Sequence, residues 1–395
     1  MRVRLGDVLR LRKEIVHPRD RPHGRATFVG LEHLESGSGR RTGSLEIDLA
    51  SLTGRKPRFY TGDIVYGYLR PYLNKVWVAE FDGLCSVDQY VYEVDRSRTE
   101  PEYVAWFMRS PFYAGQAPVT TGPGQLPRIR LEEVARVELG LPDLSEQRRV
   151  VAAISDQVAA VERARAAAET QRGAADALTA AYLRAAFDSL QAQRWPRRRL
   201  GEVSEIVAGI TLGRRLSGGR SRVVPYLRVA NVKDGYLDLS DVNEIEASEV
   251  EIEKLRLHRG DLLLTEGGDP DKLGRGSLWR EELLECVHQN HIFRVRFDPA
   301  QFVPDFASAQ IGSHYGKRYF LAHAKQTTGI ATINRKVLAA FPLMTPDRVE
   351  QERIAGALIA QMVIAQQLTQ ALSERVKEIE SLREVLLRRA FSGEA

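Results

Sequence analysis

The sequence predicts an α+β protein: two similar mixed α/β domains separated by two long helices, packed as an antiparallel coiled coil about a pseudo-twofold axis. Three observations carry that prediction. About fifty residues recur without a gap at a shift of 204 positions. Both copies repeat apolar residues at heptad spacing. Weaker echoes relate the segments that precede each copy, as expected of an internal duplication.

The helices come first. LSEQRRVVAAI (144–154) returns as RVEQERIAGAL (348–358), so Glu146-Gln147 lies over Glu350-Gln351 and Pro142-Asp143 over Pro346-Asp347. At the far end LRAAF (183–187) lies over LRRAF (387–391). Asp with Glu three residues later, just after Pro, is a helix entry signal in both copies. Steps of four and three from Val150 meet Ile154, Gln157, Val161, Ala164, Ala168, Gln171, Ala175, Leu178 and Tyr182. From Ile354 they meet Leu358, Gln361, Ala365, Leu368, Leu372, Arg375, Ile379, Leu382 and Leu386. The polar breaks Gln157/Gln361 and Gln171/Arg375 fall at matching steps and are expected to set the register of the pair. The competing reading is two separate surface helices, each covering its own domain.

The domains follow. RLGDV (4–8) is echoed by RLGEV (199–203), GDIVYGYL (62–69) by GDLLLTEG (260–267), and CSVDQYVYEV (85–94) by CVHQNHIFRV (286–295). TTG at 120–122 matches TTG at 327–329, followed by Ile129 and Ile333. These echoes divide the chain into a first domain (1–140), a first spacer helix (141–192), a second domain (193–343) and a second spacer helix (344–395). In the first domain, strands are expected near 62–69, 75–80 and 85–94, with a helix near 101–113. In the second, strands are expected near 224–230, 261–265, 276–280 and 291–297, with a helix near 303–320. QRWPRRRL (193–200) is the boundary, where Trp195-Pro196 stops the helical pattern and Arg197 to Arg199 read as a solvated linker.

Composition narrows the function. The 395 residues are 43% hydrophobic, enough for ordinary cores. MRVRLGDVLRLRK lacks the apolar stretch of a secretory signal, and no run of about 18 apolar residues suggests a membrane span. Cys85 and Cys286 are the only cysteines and form no CxxC pair, so a reducing, cytoplasmic setting is expected. Charge alternates: +3 over 1–140, −1 over 141–190, +4 over 191–343 and −1 over 344–395. Recognisable catalytic sets are missing. No Lys follows an acidic residue by two positions, no Pro-Pro occurs, and neither a phosphate loop nor HExxH is present. The run GITLGRRLSGG (209–219) has no dinucleotide-binding spacing.

These residues resemble a known family. PDLSEQRRV (142–150), TPDRVEQERI (345–354) and LREVLLRRAFSGEA (382–395) are similar to the helical regions of specificity subunits of Type I restriction-modification systems. GDIVYGYLRPYLNKVWVAEFDGLCSVDQYVY (62–92) resembles a target recognition domain of that family, while GDLLLTEGGD in the second domain departs from the pattern. The resemblance implies a non-catalytic subunit that binds double-stranded DNA, each domain reading one half of a bipartite site. The helices would set the gap and dock two methyltransferase subunits, with restriction subunits joining the full complex. S-adenosylmethionine, ATP and Mg would sit on those partners. The alternatives are a subunit serving a fused restriction-methylation enzyme, and a coiled-coil scaffold without DNA binding.

Base reading calls for Arg, Lys, Asn, Gln and aromatic side chains on loops held by a scaffold. The first domain offers Tyr68, Arg70, Tyr72, Asn74 and Lys75 in YGYLRPYLNK, and Thr121, Gln125, Arg128 and Arg130 in TTGPGQLPRIR. The second offers Arg214, Arg215, Arg220 and Arg222 in its Gly-rich stretch, Lys272 and Arg275 in GGDPDKLGRG, and Lys325, Gln326, Asn334 and Arg335 near its TTG. Against these stand core packing for Tyr68 and Tyr72, an internal ion pair for Arg70, and a solvated surface for the rest.

Overall fold

The computed structural model describes residues 1–395 apart from 122, 123, 125, 216–218, 269–272, 328, 329 and 393–395. The chain divides into two compact units, Met1–Glu169 with Ser373–Ala395, and Thr170–Leu372. Each unit therefore takes part of both long helices.

The helices are Leu144–Phe187 and Arg348–Phe391, 44 residues each. Their first and last residues are related by the 204-residue shift, so the duplication fixed both ends. The starts are capped alike: Asp143 Oδ1 accepts from Glu146 N–H at 2.9 Å, and Asp347 Oδ1 from Glu350 N–H at 2.9 Å. An Arg one turn on pairs with the helix-entry Glu in each copy, Arg149 with Glu146 and Arg353 with Glu350. In the first unit the two helical segments run antiparallel. Ile154 and Val158 meet Leu387, while Ala168 meets Val376 and Ile379. In the second unit Phe187 meets Ile354 and Leu358, again antiparallel.

The seam is not the expected one. Its buried residues include Gln147, Ile154, Val158, Ala168 and Ala175, and Gln351, Leu358, Ala365, Leu372, Val376 and Ile379. One set of expected positions holds, among them Ile154, Ala168, Leu358 and Ile379. The alternate set lies one residue further along, at Val158 rather than Gln157 and Val376 rather than Arg375. Gln157, Gln171, Gln361 and Arg375 are exposed. They are solvated polar positions beside the seam and do not set its register.

The first unit centres on a four-stranded antiparallel sheet ordered Leu9–Leu11, Gln89–Val94, Ile64–Gly67, Val76–Val78. Its core gathers Ile64, Tyr66, Val76 and Tyr92 with Val104, Phe107 and Met108 of the helix Pro101–Met108. A five-stranded sheet stands beside it, in which Arg25–Val29 runs parallel to Gly83–Cys85. The strands Arg2–Arg4 and Glu138–Gly140 pair to bring the two ends of the domain together.

The second unit repeats the plan. Its four-stranded sheet is ordered Ser204–Ala208, Ile292–Phe297, Leu262–Thr265, Gly276–Leu278. The second sheet keeps the parallel pair, Ser221–Leu227 with Val287–His288. The closing pair is Arg197–Arg199 with Pro342–Met344. The three arginines expected in a linker are thus a strand, with side chains left exposed. The helix expected near 303–320 is two, Pro304–Gly312 and His314–His323, broken at Ser313.

One glutamine joins each domain to the helix that follows it. Gln147 Oε1 accepts from Glu100 N–H at 2.9 Å, and its Nε2 donates to the carbonyls of Arg98 and Pro142 at 3.0 and 2.9 Å. Gln351 Oε1 accepts from Val303 N–H at 3.0 Å, and its Nε2 donates to the carbonyls of Gln301 and Pro346 at 3.3 and 3.0 Å. Both side chains are buried, and a buried amide is stable only when its bonds are made. This latch is what the recurrent Glu-Gln encodes.

Candidate nucleic-acid interface

In both units a turn leaving the four-stranded sheet is bonded to a second loop, and the expected site residues lie on these two segments, apart from the four arginines of the Gly-rich stretch before and within Ser221–Leu227. In the first unit Arg70 and Asn74 bracket the turn Pro71–Leu73, with φ of 53° and 47°. Left-handed backbone is uncommon outside glycine and persists where neighbours hold it. Here Arg70 N–H donates to Pro127 O at 2.7 Å, and Ile129 N–H to Tyr68 O at 3.1 Å. Thr120 and Arg128 exchange backbone bonds at 2.8 and 3.0 Å, closing the 120–128 loop. In the second unit Ile333 N–H donates to Glu266 O at 2.8 Å, the same bond at the matching place. Gly267–Gly268 then pairs with Ile330–Thr332, which pairs with Lys325–Thr327. The mainchain wiring of the two sites is therefore duplicated.

The side chains separate into two groups. Arg70, Tyr72, Thr121 and Arg130 are exposed in the first unit, as are Arg215, Arg220, Lys325 and Arg335 in the second. None of these eight makes a side-chain hydrogen bond or ion pair among the described residues. Tyr72 is 69% exposed, so it is not a core residue.

Others are engaged within their domains. Asn74 Nδ2 donates to Arg109 O at 2.9 Å, and Lys75 Nζ donates to Leu31 O. Tyr68 stacks on Tyr90, ring centroids 4.2 Å apart, and its hydroxyl donates to Val87 O at 3.1 Å. Arg128 is half-buried, its Nε 3.5 Å from Leu126 O. Arg214 grips Glu251 at 2.6 and 2.9 Å, and this pairing holds the Glu251 carboxyl down at about 2 against the burial that opposes it. Arg222 spans Glu249 and Glu285. Arg275 is half-buried, and its carbonyl accepts from Thr265 N–H at 3.1 Å. Asn334 is exposed, but its Oδ1 caps the helix Arg335–Ala339 by accepting from Val337 N–H at 2.9 Å. Gln125, Lys272 and the side chain of Gln326 lie outside the described residues.

The Gly-rich stretch has a structural explanation at its start. A Cβ on Gly209 would stand 1.9 Å from His288 O, and Ile210 N–H donates to that same carbonyl at 2.7 Å. Gly209 permits two backbones to meet. Sequence reasoning missed three further features: the Gln147/Gln351 latch, the hairpins 34–41 and 232–237, and the His291–Glu266 contact at 2.6 Å. The doubled Glu-Gln was the available signal for the first.

Among the described residues, no group of three or more His, Cys, Asp or Glu side chains is placed to hold a metal ion, and no helix is long and apolar enough to cross a membrane. Each unit thus carries a loop site on an α/β domain that is latched to a long helix.

The chain is 27% identical over 193 residues to the specificity subunit of the Type I restriction enzyme EcoDI of Escherichia coli, spanning 49% of this chain and 42% of that protein. It is 21% identical over 305 residues to the StySPI specificity subunit of Salmonella potsdam, spanning 74% of this chain and 65% of that one. The chain thus spans less than two thirds of the length of these relatives. Two solved structures share its fold. One, from a study of complex assembly and conformational transition of the type I R-M system, has a TM-score of 0.80 at 22% identity, covering 100% of this chain and 98% of that one. The other, the HsdS subunit from Thermoanaerobacter tengcongensis, has a TM-score of 0.67 at 22% identity, covering 100% and 97%. No family model matches. In sequence the chain is similar to specificity subunits of Type I restriction systems.

Proposed function

We propose that this chain is the non-catalytic, sequence-reading subunit of a cytoplasmic DNA restriction and methylation complex. The first domain (1–140) reads one half of a bipartite duplex site and the second (193–343) reads the other. The paired helices set the gap between half-sites and seat two methyltransferase subunits, which restriction subunits join. S-adenosylmethionine, ATP and Mg act on those partners.

The observation that carries the reading is the duplicated loop wiring with cations left free on it. Arg70 and Arg130 on one domain, and Lys325 and Arg335 on the other, have no carboxylate partner among the described residues; nor do Arg215 and Arg220 of the separate Gly-rich stretch. Many arginines elsewhere in the domains are paired. Free guanidinium and ammonium groups on braced loops suit phosphates and guanine edges. Tyr72 and Thr121 add apolar and hydroxyl contacts beside Arg70.

The test is to co-express the chain with a cognate methyltransferase and map methylated adenines across a genome. A bipartite motif with a fixed gap is expected. Arg70→Ala should weaken one half-site by about 1–3 kcal/mol and leave the other intact, and Arg335→Ala should do the reverse. Unsplit motifs, or equal loss at both halves from either variant, refute the assignment.

A further inference from the structure

Behind the first domain's reading turn, a spacer-helix arginine reaches into the domain. Arg383 on the helix Arg348–Phe391 has a side chain 17% exposed, with Nη1 3.8 Å from Glu162 on the opposing helix. Its Nη2 donates to the carbonyl of Gly37, at the tip of the hairpin 34–41. Gly37 N–H donates to Asn74 O at 2.9 Å, and Asn74 Nδ2 donates to Arg109 O at 2.9 Å. Asn74 is the residue that closes the turn carrying Arg70 and Tyr72. A short path of bonds therefore runs from Glu162 through Arg383 and Gly37 to the turn.

The hairpin is shaped for this seat. Gly37 and Gly39 both have φ near 70°, at 71° and 69°. A Cβ on Gly39 would lie 2.0 Å from the Arg109 guanidinium, and one on Gly37 3.6 Å from Arg383 Nη1. The backbone thus lies flat over two guanidinium groups. Beside the seat is a cavity of about 370 Å³, lined in part by Gly37, Asn74, Arg109, Arg383 and Leu387. With space on that side, hydrogen bonds more than packing hold the hairpin to the helix.

The second unit has the hairpin but a different anchor. Gly235 N–H donates to Gly276 O at 2.8 Å, matching the bond from Gly37 to Asn74. Val232 and Leu237 bridge as Leu34 and Arg41 do. Asp234 at the tip is held by Lys317, from that domain's own helix His314–His323. The spacer position 204 residues before Arg383 is Thr179, whose short side chain lacks the reach of an arginine.

We infer that Arg383 is a positioning residue for recognition by the first domain alone: it ties that domain's reading turn to the spacer helices through Gly37 and Asn74. The inference rests on the DNA-reading role proposed above. Its consequence is that the order of the first reading turn depends on the spacer helices, while the second domain's turn does not.

The test uses the full chain in complex with its methyltransferase partner, in wild-type form and as Arg383→Gln, Arg383→Lys and Glu162→Gln. Hydrogen exchange at the amides of Gly37 and Asn74 reads the link without reference to DNA. Binding to duplexes with one half-site scrambled reads its use. Arg383→Gln should speed exchange at both amides at least tenfold and weaken the first half-site about tenfold, leaving the second unchanged. The salt dependence of binding should keep its slope, whereas Arg70→Ala should lower that slope by about one. Arg383→Lys should recover part of the loss, and Glu162→Gln should give about a threefold change in the same direction. Unchanged exchange in Arg383→Gln overturns the link whatever the DNA result. Faster exchange with equal loss at both half-sites, or with a lowered salt slope, overturns the positioning role. A wild-type complex that binds no bipartite site refutes the functional reading and its recognition consequence, and exchange still reports the link separately.

Discussion

At the base of the turn that leaves the four-stranded sheet, the first unit stacks Tyr68 on Tyr90, ring centroids 4.2 Å apart, where the second sets Glu266 against His291 at 2.6 Å. Nearby, Asp63 is held by Arg12 from the segment after Leu9–Leu11, while Asp261 is held by Arg296 from the strand Ile292–Phe297. The position after Ser86 is the exposed Val87, and its counterpart is the buried His288. Yet the mainchain bonds that fix the turns, Ile129 to Tyr68 and Ile333 to Glu266, are the same. The backbone fixes where the loops stand, and the side chains on it diverge freely. The proposed reading of two different half-sites calls for that separation of duties.

The largest test of the comparison is the pair of aspartates. Asp261 is fully buried and bidentate to Arg296 at 2.7 Å to each oxygen, so Asp261→Ala strands a charge and should cost about 3–5 kcal/mol by chemical denaturation. Asp63→Ala should cost less, because Arg12 keeps Glu14 at 3.4 Å and Glu93 at 4.0 Å. Equal losses break the asymmetry. The latches should instead behave alike. Gln147→Ala and Gln351→Ala each leave buried mainchain groups unpaired and should each cost about 2–4 kcal/mol, read by exchange in their own units.

A smaller effect depends on pH. Burial pushes His288 down to about 4 from an ordinary 6.5, so the unfolded chain takes up its proton first as pH falls. Stability from this group is complete above about pH 6.5 and is lost progressively toward pH 4, roughly 3 kcal/mol in all. The loss should fall on the second unit, and His288→Gln should flatten it. The smallest contrast lies at the turn bases. Tyr68→Leu should cost about 1 kcal/mol for the lost stack. Glu266→Gln, at a partly exposed pair, should change stability by less than about 1 kcal/mol.

Much of this architecture is legible in the residues. The 204-residue shift located both long helices, which lie inside the expected segments 141–192 and 344–395, because capping aspartates and terminal phenylalanines recur with them. The seam phase was harder. In an alanine-rich helix adjacent stripes carry similar apolar content, and the true stripe contains Gln147, Arg165 and Arg383, which hydropathy discounts. Free and committed cations also look alike in sequence. Arg214 is committed because folding brings Glu251, 37 residues away, against it, and Arg335 meets no such partner among the described residues. Strands as short as Arg197–Arg199, with every side chain exposed, carry no alternation to read.

The aromatic end of the second helix has a consequence for biosynthesis. Phe391 inserts against Tyr103 and Phe107, ring centroids 5.4 and 5.6 Å away, so the first domain's core is completed by residues translated well after it. The second unit is one contiguous stretch, Thr170–Leu372, whereas the first is made of two, Met1–Glu169 and Ser373–Ala395. At about 5–20 residues per second, the first domain waits roughly 10–45 s for residues 373–391 with that aromatic face uncovered. Of the two halves, the one made first is finished last, and it is the one a chaperone would have reason to hold.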